Sequence, residues 1–182
     1  MILIKEHLVN KGLLIVLTGD GKGKTSAALG IALRAYGHNM SICVIQFIKG
    51  SFVTGESLAA EKLGIEFVSL GKGFVIAKGS ELNLKEHRSA AEKALTLARE
   101  RMLSGALNIL ILDEINNAVK LGLLDIAAVL DLVKSKPQNL HLVLTGRNAH
   151  PDLIAAADLV TEMHALKHPF DSGLPAQKGI DY

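Results

Sequence analysis

The sequence contains no tryptophan and a single cysteine, Cys43, among its 182 residues. One cysteine excludes a disulfide within the chain, and we therefore expect a reducing compartment, the cytoplasm. Aromatic residues make up only 4% of the chain. Because tryptophan is missing, no ligand site of this chain can offer an indole ring, which is the largest aromatic face among the side chains.

The chain also lacks a large excess of positive or negative charge, and it lacks long apolar runs. The formal net charge is +2, and outside one short loop the basic residues are scattered, so we expect neither nucleic acid nor an anionic membrane as a partner. No apolar run approaches the roughly 20 residues of a membrane span. Residues 1–7 lack the basic start of a secretory signal peptide and are interrupted by charge. Hydrophobic residues make up 49% of the chain, which excludes disorder.

The most informative stretch is a loop rich in glycine and lysine, residues 18–26, with the sequence TGDGKGKTS. It follows an apolar run, residues 13–17, and precedes a helix-like run, which is the order that a phosphate-binding P-loop requires. Glycines allow a tight turn whose N–H groups point inward, and the helix adds its own free donors. The usual pattern begins with glycine where this chain has Thr18. The residues predicted to bind the nucleotide here are Gly19, Asp20, Gly21, Lys22, Gly23, Lys24, Thr25 and Ser26.

Two acidic residues follow a later apolar run. Asp113 and Glu114 come directly after residues 109–112, in the manner of a Walker-B element whose acids reach a phosphate-bound metal. An ordinary strand exit with helix-capping acids is the alternative. Within the P-loop, Lys24 supplies a mobile charge for phosphate oxygens, and the Thr25 hydroxyl is placed to bind Mg²⁺.

Two further basic residues are candidates for the nucleotide site, each with an alternative. Lys49 follows a strand on the predicted ligand side and either contacts phosphate or is a solvated loop lysine. Arg34 lies near the end of the first helix and either reaches the nucleotide or only favours the helix C-terminus. The histidine spacing does not support a metal site, and no protein nucleophile with a partner base can be identified.

Strands alternate with helices along the whole chain, without an internal repeat or a linker. This predicts a single α/β domain over residues 1–182, a three-layer P-loop (RecA-like) fold with a mostly parallel sheet and helices on both faces. Residues 1–11 form a short leader and residues 164–182 an irregular C-terminal segment. A capping box at Asn83–Glu86 predicts the start of the third long helix. Ligands in such folds bind at the carboxyl ends of the strands.

Four segments together closely resemble the ATP:corrinoid adenosyltransferases of the CobA/BtuR/CobO type. They are TGDGKGKTSAALG, VIQFIKG, ILDEINNAVKLGLL and the stretch from LTGRNAHPDL to the C-terminus, and the resemblance runs from about residue 11 to residue 182. It implies transfer of the 5′-deoxyadenosyl group of ATP to the cobalt(I) of cobalamin or of a precursor corrinoid, with release of triphosphate. In that family ATP lies reversed in the P-loop, so that C5′ faces the acceptor.

The resemblance also implies roles for individual residues. Lys24, Thr25 and Glu114 are the expected catalytic residues, with Mg²⁺ or Mn²⁺ bound by Thr25, Asp113 and Glu114. Arg34 matches a family arginine near the nucleotide. Asp20 stands where relatives often have asparagine. An asparagine side chain could both donate and accept a hydrogen bond with the ribose, whereas an aspartate can only accept one.

For the corrinoid, the family uses an aromatic pair in the loop after the third strand to displace the lower axial ligand of cobalt. Phe74 matches the first aromatic and is the expected corrinoid contact. The second, usually tryptophan, is Ile76 here, and Phe52 also stands where tryptophan is common. An isoleucine offers less area and no π face, so this departure suggests weaker ligand displacement or another corrinoid substrate. The resemblance further implies a homodimer and a flavodoxin-like or reduced-flavin electron donor.

Two other functions remain open from the residues alone. The first is a P-loop kinase or NTPase that acts at the γ-phosphate and produces ADP. The second is a non-catalytic module that binds ATP and corrinoid, which the missing tryptophans favour. The three hypotheses differ in their products. The adenosyltransferase forms triphosphate and a Co–C bond, the kinase or NTPase forms ADP, and the binding module forms neither.

Overall fold

The computed structural model describes residues 11–50, 53–73 and 81–181, without the side chains of residues 81 and 82. The strands in these ranges are β1 (Leu14–Thr18), β2 (Ile42–Gln46), β3 (Glu66–Ser69), β4 (Ile109–Asp113), β5 (His141–Thr145) and β6 (Leu159–Glu162). The helices are α1 (Lys24–Tyr36), α2 (Gly55–Leu63), α3 (Glu81–Leu103), α4 (Ile115–Lys120), α5 (Ile126–Lys134) and α6 (Pro151–Ala156), followed by a 3₁₀ turn, η1 (Pro169–Ser172).

The six described strands form one sheet in the order β3-β2-β4-β5-β1-β6, and every neighbouring pair is parallel. Strand β5 lies between β1, which leads into the P-loop, and β4, which ends in the acidic pair. This is the RecA-like arrangement that the sequence predicts. Because parallel strands share one carboxyl edge, the loops that follow β1, β2, β4 and β5 meet there.

Alternating side chains of the strands fill two cores, one on each face of the sheet. In β1, Leu14 and Val16 belong to one core and Ile15 and Leu17 to the other. The larger core lies under α3 and α5, and the smaller lies under α1. Strands β1, β2 and β4 are buried along their whole length, as expected for parallel strands covered on both faces. The predicted three-layer architecture is confirmed.

The ends of the helices show where local sequence decides the structure and where it does not. Helix α1 begins at Lys24 directly after Gly23, whose φ of 111° closes the P-loop. Thr54 and Ser57 form a capping box at the start of α2. The predicted cap at Asn83 is wrong, because α3 includes residues from Glu81 onward and Asn83 lies inside its first turn.

The C-terminal part of the chain has little regular structure in the residues that the structure describes. Strand β6 lies at the edge of the sheet and is exposed along its length, and within the described residues the one regular element after it is η1. Among the described residues, no helix combines the length and the apolar character needed to cross a membrane.

Candidate functional site

The P-loop packs against the chain that continues from β6. The Gly21 N–H donates to the Met163 carbonyl oxygen at 2.7 Å. A Cβ at Gly19, whose φ is 95°, would lie 2.3 Å from that same oxygen, and a Cβ at Gly21 would lie 2.8 Å from the His164 backbone. Any side chain at these two positions would force the loop away from its support, so glycine here fixes the loop in place.

The Lys24 side chain folds back onto the P-loop. Its Nζ donates to the carbonyl oxygens of Gly19 at 2.8 Å and Gly21 at 2.7 Å, and the side chain is buried. Burial lowers the pKa of Lys24, and the charge of Arg147 lowers it further, whereas the carboxylate of Glu114 opposes both effects. The ammonium group is thus held at the centre of the loop, surrounded by acceptors.

Asp113 connects four secondary-structure elements at the carboxyl edge of the sheet. Its Oδ1 accepts hydrogen bonds from the hydroxyls of Thr25 at 2.8 Å and Thr145 at 2.7 Å. Its Oδ2 accepts from Gln46 Nε2 at 3.0 Å, and the residue is only 1% exposed. A buried carboxylate with three donors is held in one orientation, so Asp113 positions the Thr25 hydroxyl at the start of α1.

Glu114 presents a carboxyl group that is not satisfied by the protein. Its backbone has a φ of 66°, an uncommon conformation for a residue with a side chain, and its N–H donates to Thr145 Oγ1. Its Oε2 is buried without a hydrogen-bond partner among the described residues. Burial raises the pKa of Glu114, and the nearby Asp113 carboxylate raises it further. Such an orphaned acceptor is suited to a cation or to a ligand hydroxyl.

Lys49 is paired across the site rather than solvated. Its Nζ lies 2.9 Å from Glu56 Oε1, at the start of α2. Burial is the largest single effect and disfavours the charged forms of both groups, but their hydrogen bond and the nearby charges and donors together outweigh it, so the pKa of Lys49 is raised and that of Glu56 is lowered. The solvated-lysine alternative does not describe this contact.

These groups surround a cleft of about 650 Å³ at the carboxyl edge of the sheet. One side is polar and consists of the P-loop, Lys49, Glu56, Glu114 and Arg147. The other side is apolar and lies between α1 and α2. Its side chains are Leu29, Leu33, Ala59, Leu63 and Ile65. The cleft can therefore take a ligand with a charged end and an apolar end.

The structure brings most of the predicted site residues together. Asp20, Gly21, Lys22, Gly23, Lys24, Thr25, Ser26, Lys49 and Glu114 line the cleft. Gly19 lies behind the loop against Met163, and Asp113 lies behind Thr25. Arg34 is exposed near the end of α1 and is not among the cleft residues. Phe74, together with Phe52 and Ile76, lies outside the described residues.

Gln46 and Thr145 are the polar last residues of β2 and β5, a pattern that predicts a place at the ligand edge of the sheet, and both donate to Asp113 there. The C-terminal segment was expected to be irregular, yet His168, Ile180 and Asp181 line the cleft, and Asp181 forms an ion pair with Lys22.

No group of three or more histidine, cysteine, aspartate or glutamate side chains that could hold a metal occurs in the described ranges. A metal in this cleft would therefore need oxygen ligands from a nucleotide or water besides those of the protein. The Thr25 hydroxyl and the carboxylates of Asp113 and Glu114 are hard oxygen donors of the kind that Mg²⁺ prefers.

Comparisons with known proteins agree on one family. A family model described as ATP:corrinoid adenosyltransferase BtuR/CobO/CobP matches residues 10–182. The chain is 44% identical to a corrinoid adenosyltransferase of Sinorhizobium sp over 176 residues, which cover 94% of this chain and 81% of that protein. It is 39% identical to corrinoid adenosyltransferase CobA of Salmonella typhimurium, with 94% and 86% covered. It is 38% identical to the corrinoid adenosyltransferase of Pseudomonas aeruginosa, with 94% and 84% covered.

Proposed function

This chain belongs to the ATP:corrinoid adenosyltransferase family, and on that premise we propose that it transfers the 5′-deoxyadenosyl group of ATP to the cobalt(I) of a corrinoid. The observation that carries the proposal is the convergence of Lys24, Thr25 and Glu114 on one cleft. The substrates are ATP and cobalamin or a precursor corrinoid, and the reaction belongs to the synthesis or salvage of adenosylcobalamin.

The nucleophile in this reaction comes from the corrinoid and not from the protein. The electron pair of cobalt(I) attacks C5′ of ATP, the C5′–O bond breaks, and its electron pair leaves on the triphosphate oxygen. Cobalt is thereby oxidised to cobalt(III) as the Co–C bond forms. The protein needs only to bind both substrates, align C5′ with cobalt, and stabilise the negative charge that develops on the triphosphate.

Lys24 and the loop N–H groups are the proposed stabilisers of the leaving triphosphate. The Lys24 ammonium exchanges its two loop carbonyl acceptors for phosphate oxygens over a short movement of a flexible side chain. In a buried, poorly solvated site this charge acts more strongly than it would in water. ATP lying reversed in the loop, with C5′ towards the acceptor, is part of the proposal.

Mg²⁺, or Mn²⁺ in its place, fits the residues at the end of β4. The buried, unpartnered Oε2 of Glu114 and the Thr25 hydroxyl that Asp113 orients are the groups that would hold it. When bound, such an ion would neutralise part of the triphosphate charge. Asp113 is fully hydrogen-bonded, so we propose that it acts mainly by holding Thr25.

Phe74 is the proposed contact of the corrinoid. Gly71 and Gly73, which precede it, lie tightly against the end of β2: the Gly73 N–H donates to the Ile48 carbonyl oxygen at 3.0 Å, and a Cβ at Gly71 would lie 2.2 Å from that oxygen. Gly71 therefore lies directly against the backbone of Ile48 and of Lys49, and Lys49 lines the cleft. This placement supports the proposal.

Three further properties are proposed together with the activity. The first is an external electron donor, flavodoxin-like or a reduced flavin, which the reaction requires to reach cobalt(I). The second is a homodimer, supported by the exposed edge strand β6 and the apolar side chains of Leu166 and Phe170 beyond it, which are 94% and 77% exposed. The third is a single cytoplasmic domain over residues 1–182.

The test is to mix the protein with ATP, Mg²⁺ and chemically reduced cob(I)alamin under anaerobic dim light and to follow the visible spectrum. A change to the light-sensitive alkylcobalamin spectrum supports the proposal. Consumption of ATP to ADP without a spectral change would favour an NTPase. Binding of both substrates without their consumption would favour the non-catalytic module. This outcome has to be tested because Ile76 stands where the family usually has tryptophan.

A further inference from the structure

The C-terminal segment, residues 163–181, is built against the P-loop at both of its ends. At its start the Met163 carbonyl accepts the Gly21 N–H, and near its end Asp181 forms an ion pair with Lys22. The Asp181 carboxylate also accepts the N–H of Gln177 at 2.7 Å, which closes the last turn. These contacts hold the middle of the segment beside the loop that is proposed to bind phosphate.

His168 lies in the middle of this segment and lines the cleft. Its Nδ1 accepts the backbone N–H of Phe170 at 3.1 Å and so caps η1. A ring nitrogen that accepts a hydrogen bond carries no proton itself, so Nε2 is the ring nitrogen that is left to donate to a ligand. The ring is partly buried, and its N–H is a donor without a protein acceptor among the described hydrogen bonds of the chain.

The chemistry of the neighbouring groups indicates which part of a ligand this donor fits. The segment that carries His168 contacts the P-loop through Met163 and Asp181, and the P-loop is where a ligand must supply acceptor oxygens. The negative charge of Asp181 is matched by Lys22, so it does not leave an uncompensated anion beside the phosphates. An N–H donor at Nε2 can add a hydrogen bond to the phosphate oxygens of such a ligand.

We propose that His168 is a binding residue for the triphosphate of ATP, donating from Nε2 to a phosphate oxygen while its Nδ1 keeps η1 capped. The identification of the ligand as ATP rests on the proposed function. The C-terminal segment thus forms part of the wall of the nucleotide site, and it holds the triphosphate both before and after the C5′–O bond breaks.

The two roles of the ring can be separated by substitution. In the His168→Asn variant the side-chain oxygen can still cap η1, because asparagine is a good capping residue, but the Nε2 donor is lost. The His168→Ala variant loses both. His164→Asn is the matched control, since His164 is an exposed histidine of the same segment that does not line the cleft.

Binding of inorganic tripolyphosphate with Mg²⁺ is measured by calorimetry for the wild type and the three variants, without corrinoid. We expect affinity to fall roughly 10- to 100-fold in both His168 variants, the usual loss of a hydrogen bond to a charged group, and to stay unchanged in His164→Asn. In the wild type, ¹⁵N spectra should show the His168 proton on Nε2, with the Nε2 resonance shifting when tripolyphosphate is added.

Three outcomes would overturn the inference: an affinity of His168→Asn equal to that of the wild type, an Nε2 resonance that tripolyphosphate does not move, or no binding of tripolyphosphate to the wild type. The first would mean that the ring only caps η1. Because the measurement needs no adenosyl transfer, its result is separate from the proposed function. A wild type that binds tripolyphosphate through His168 but makes no Co–C bond would refute the transferase and leave the His168 contact standing.

Discussion

Thr25 and Asp113 are joined by a hydrogen bond of 2.8 Å, although 88 residues separate them in the chain. This bond links the first turn of α1 to the last residue of β4. It can form because in the described sheet β5 lies between β1 and β4 and runs parallel to both, so the P-loop and the acidic pair emerge from the same edge of the sheet. The position of the Thr25 hydroxyl is thus set by a buried carboxylate and not by the P-loop alone.

Replacement of Asp113 by alanine should destabilise the protein. The Gln46 amide and the Thr145 hydroxyl would be left buried without their acceptor, which costs on the order of 1–3 kcal/mol for each unsatisfied group. Urea unfolding monitored by circular dichroism measures this loss. Asp152→Ala, at an exposed carboxylate, is the control and should change the unfolding free energy by less than about 0.5 kcal/mol. Equal effects of the two substitutions would refute the central role given to Asp113.

Replacement of Lys24 by alanine should lower kcat/KM for adenosyl transfer by about 100- to 1,000-fold, the usual effect of removing one strong stabiliser of developing negative charge. Folding should be largely retained, since the hydrogen bonds that the Lys24 side chain makes among the described residues go to the loop carbonyls of Gly19 and Gly21. Lys134→Ala, which removes an exposed lysine from the end of α5, is the matched control. Steady-state kinetics with saturating cob(I)alamin measures kcat/KM for the wild type and both variants. A Lys24→Ala variant with wild-type kcat/KM would contradict the role given to Lys24.

Replacement of Gly19 by alanine should displace the P-loop from Met163, because the new Cβ would meet the Met163 carbonyl at 2.3 Å and φ is positive. We expect a loss of stability of more than about 1 kcal/mol and weaker nucleotide binding. The matched substitution is Gly30→Ala in α1, where a Cβ meets nothing within 4 Å. Since alanine is the better helix former, Gly30→Ala should stabilise by about 0.5–1 kcal/mol. If the loop packs as described, thermal unfolding should show a lower melting temperature for Gly19→Ala and a higher one for Gly30→Ala than for the wild type.

His141 should make stability depend on pH near neutrality. Burial lowers the pKa of His141 from 6.5, and the charge of Lys136 lowers it further, while Nδ1 accepts the Leu13 N–H at 3.1 Å. The folded protein therefore binds a proton less readily than the unfolded chain. The stabilisation is present above pH 6.5 and is lost as the pH falls through the lower pKa of the folded state.

Urea unfolding of the wild type and of His141→Asn at pH 5.5 and pH 7.5 tests this. The wild type should lose more stability than the variant on going to the lower pH. His38→Asn, at an exposed histidine, is the control for removing a histidine. If the difference between wild type and His141→Asn were the same at both pH values, the burial argument for His141 would be wrong.

Much of the fold and part of the site could be predicted because the signals are local. The P-loop lies in nine consecutive residues, α1 has the bounds that its glycines indicate, and Asp113 and Glu114 follow an unbroken apolar run. The strands were recognisable as apolar runs of the right length. These features depend on neighbours in sequence, so periodicity and composition are sufficient to find them.

The contacts around these residues could not be predicted from the sequence, since they depend on the order of the strands. Nothing near Thr145 indicates that it donates to Asp113, 32 residues away. Glu56 resembles any acidic residue at a helix start until β2 and α2 place it against Lys49. The C-terminal segment has no periodicity, so no local sequence pattern indicates that Asp181 pairs with Lys22 of the P-loop.

In the proposed reaction the triphosphate is released intact as the Co–C bond forms. Phosphorus NMR of a reaction with ATP, Mg²⁺ and cob(I)alamin measures the phosphate product, while the visible spectrum of the same sample measures alkylcobalamin. We predict one triphosphate for each alkylcobalamin formed, and formation of both about 100- to 1,000-fold more slowly in the Lys24→Ala variant. Appearance of ADP and phosphate in amounts that match the ATP consumed, with no alkylcobalamin, would contradict it.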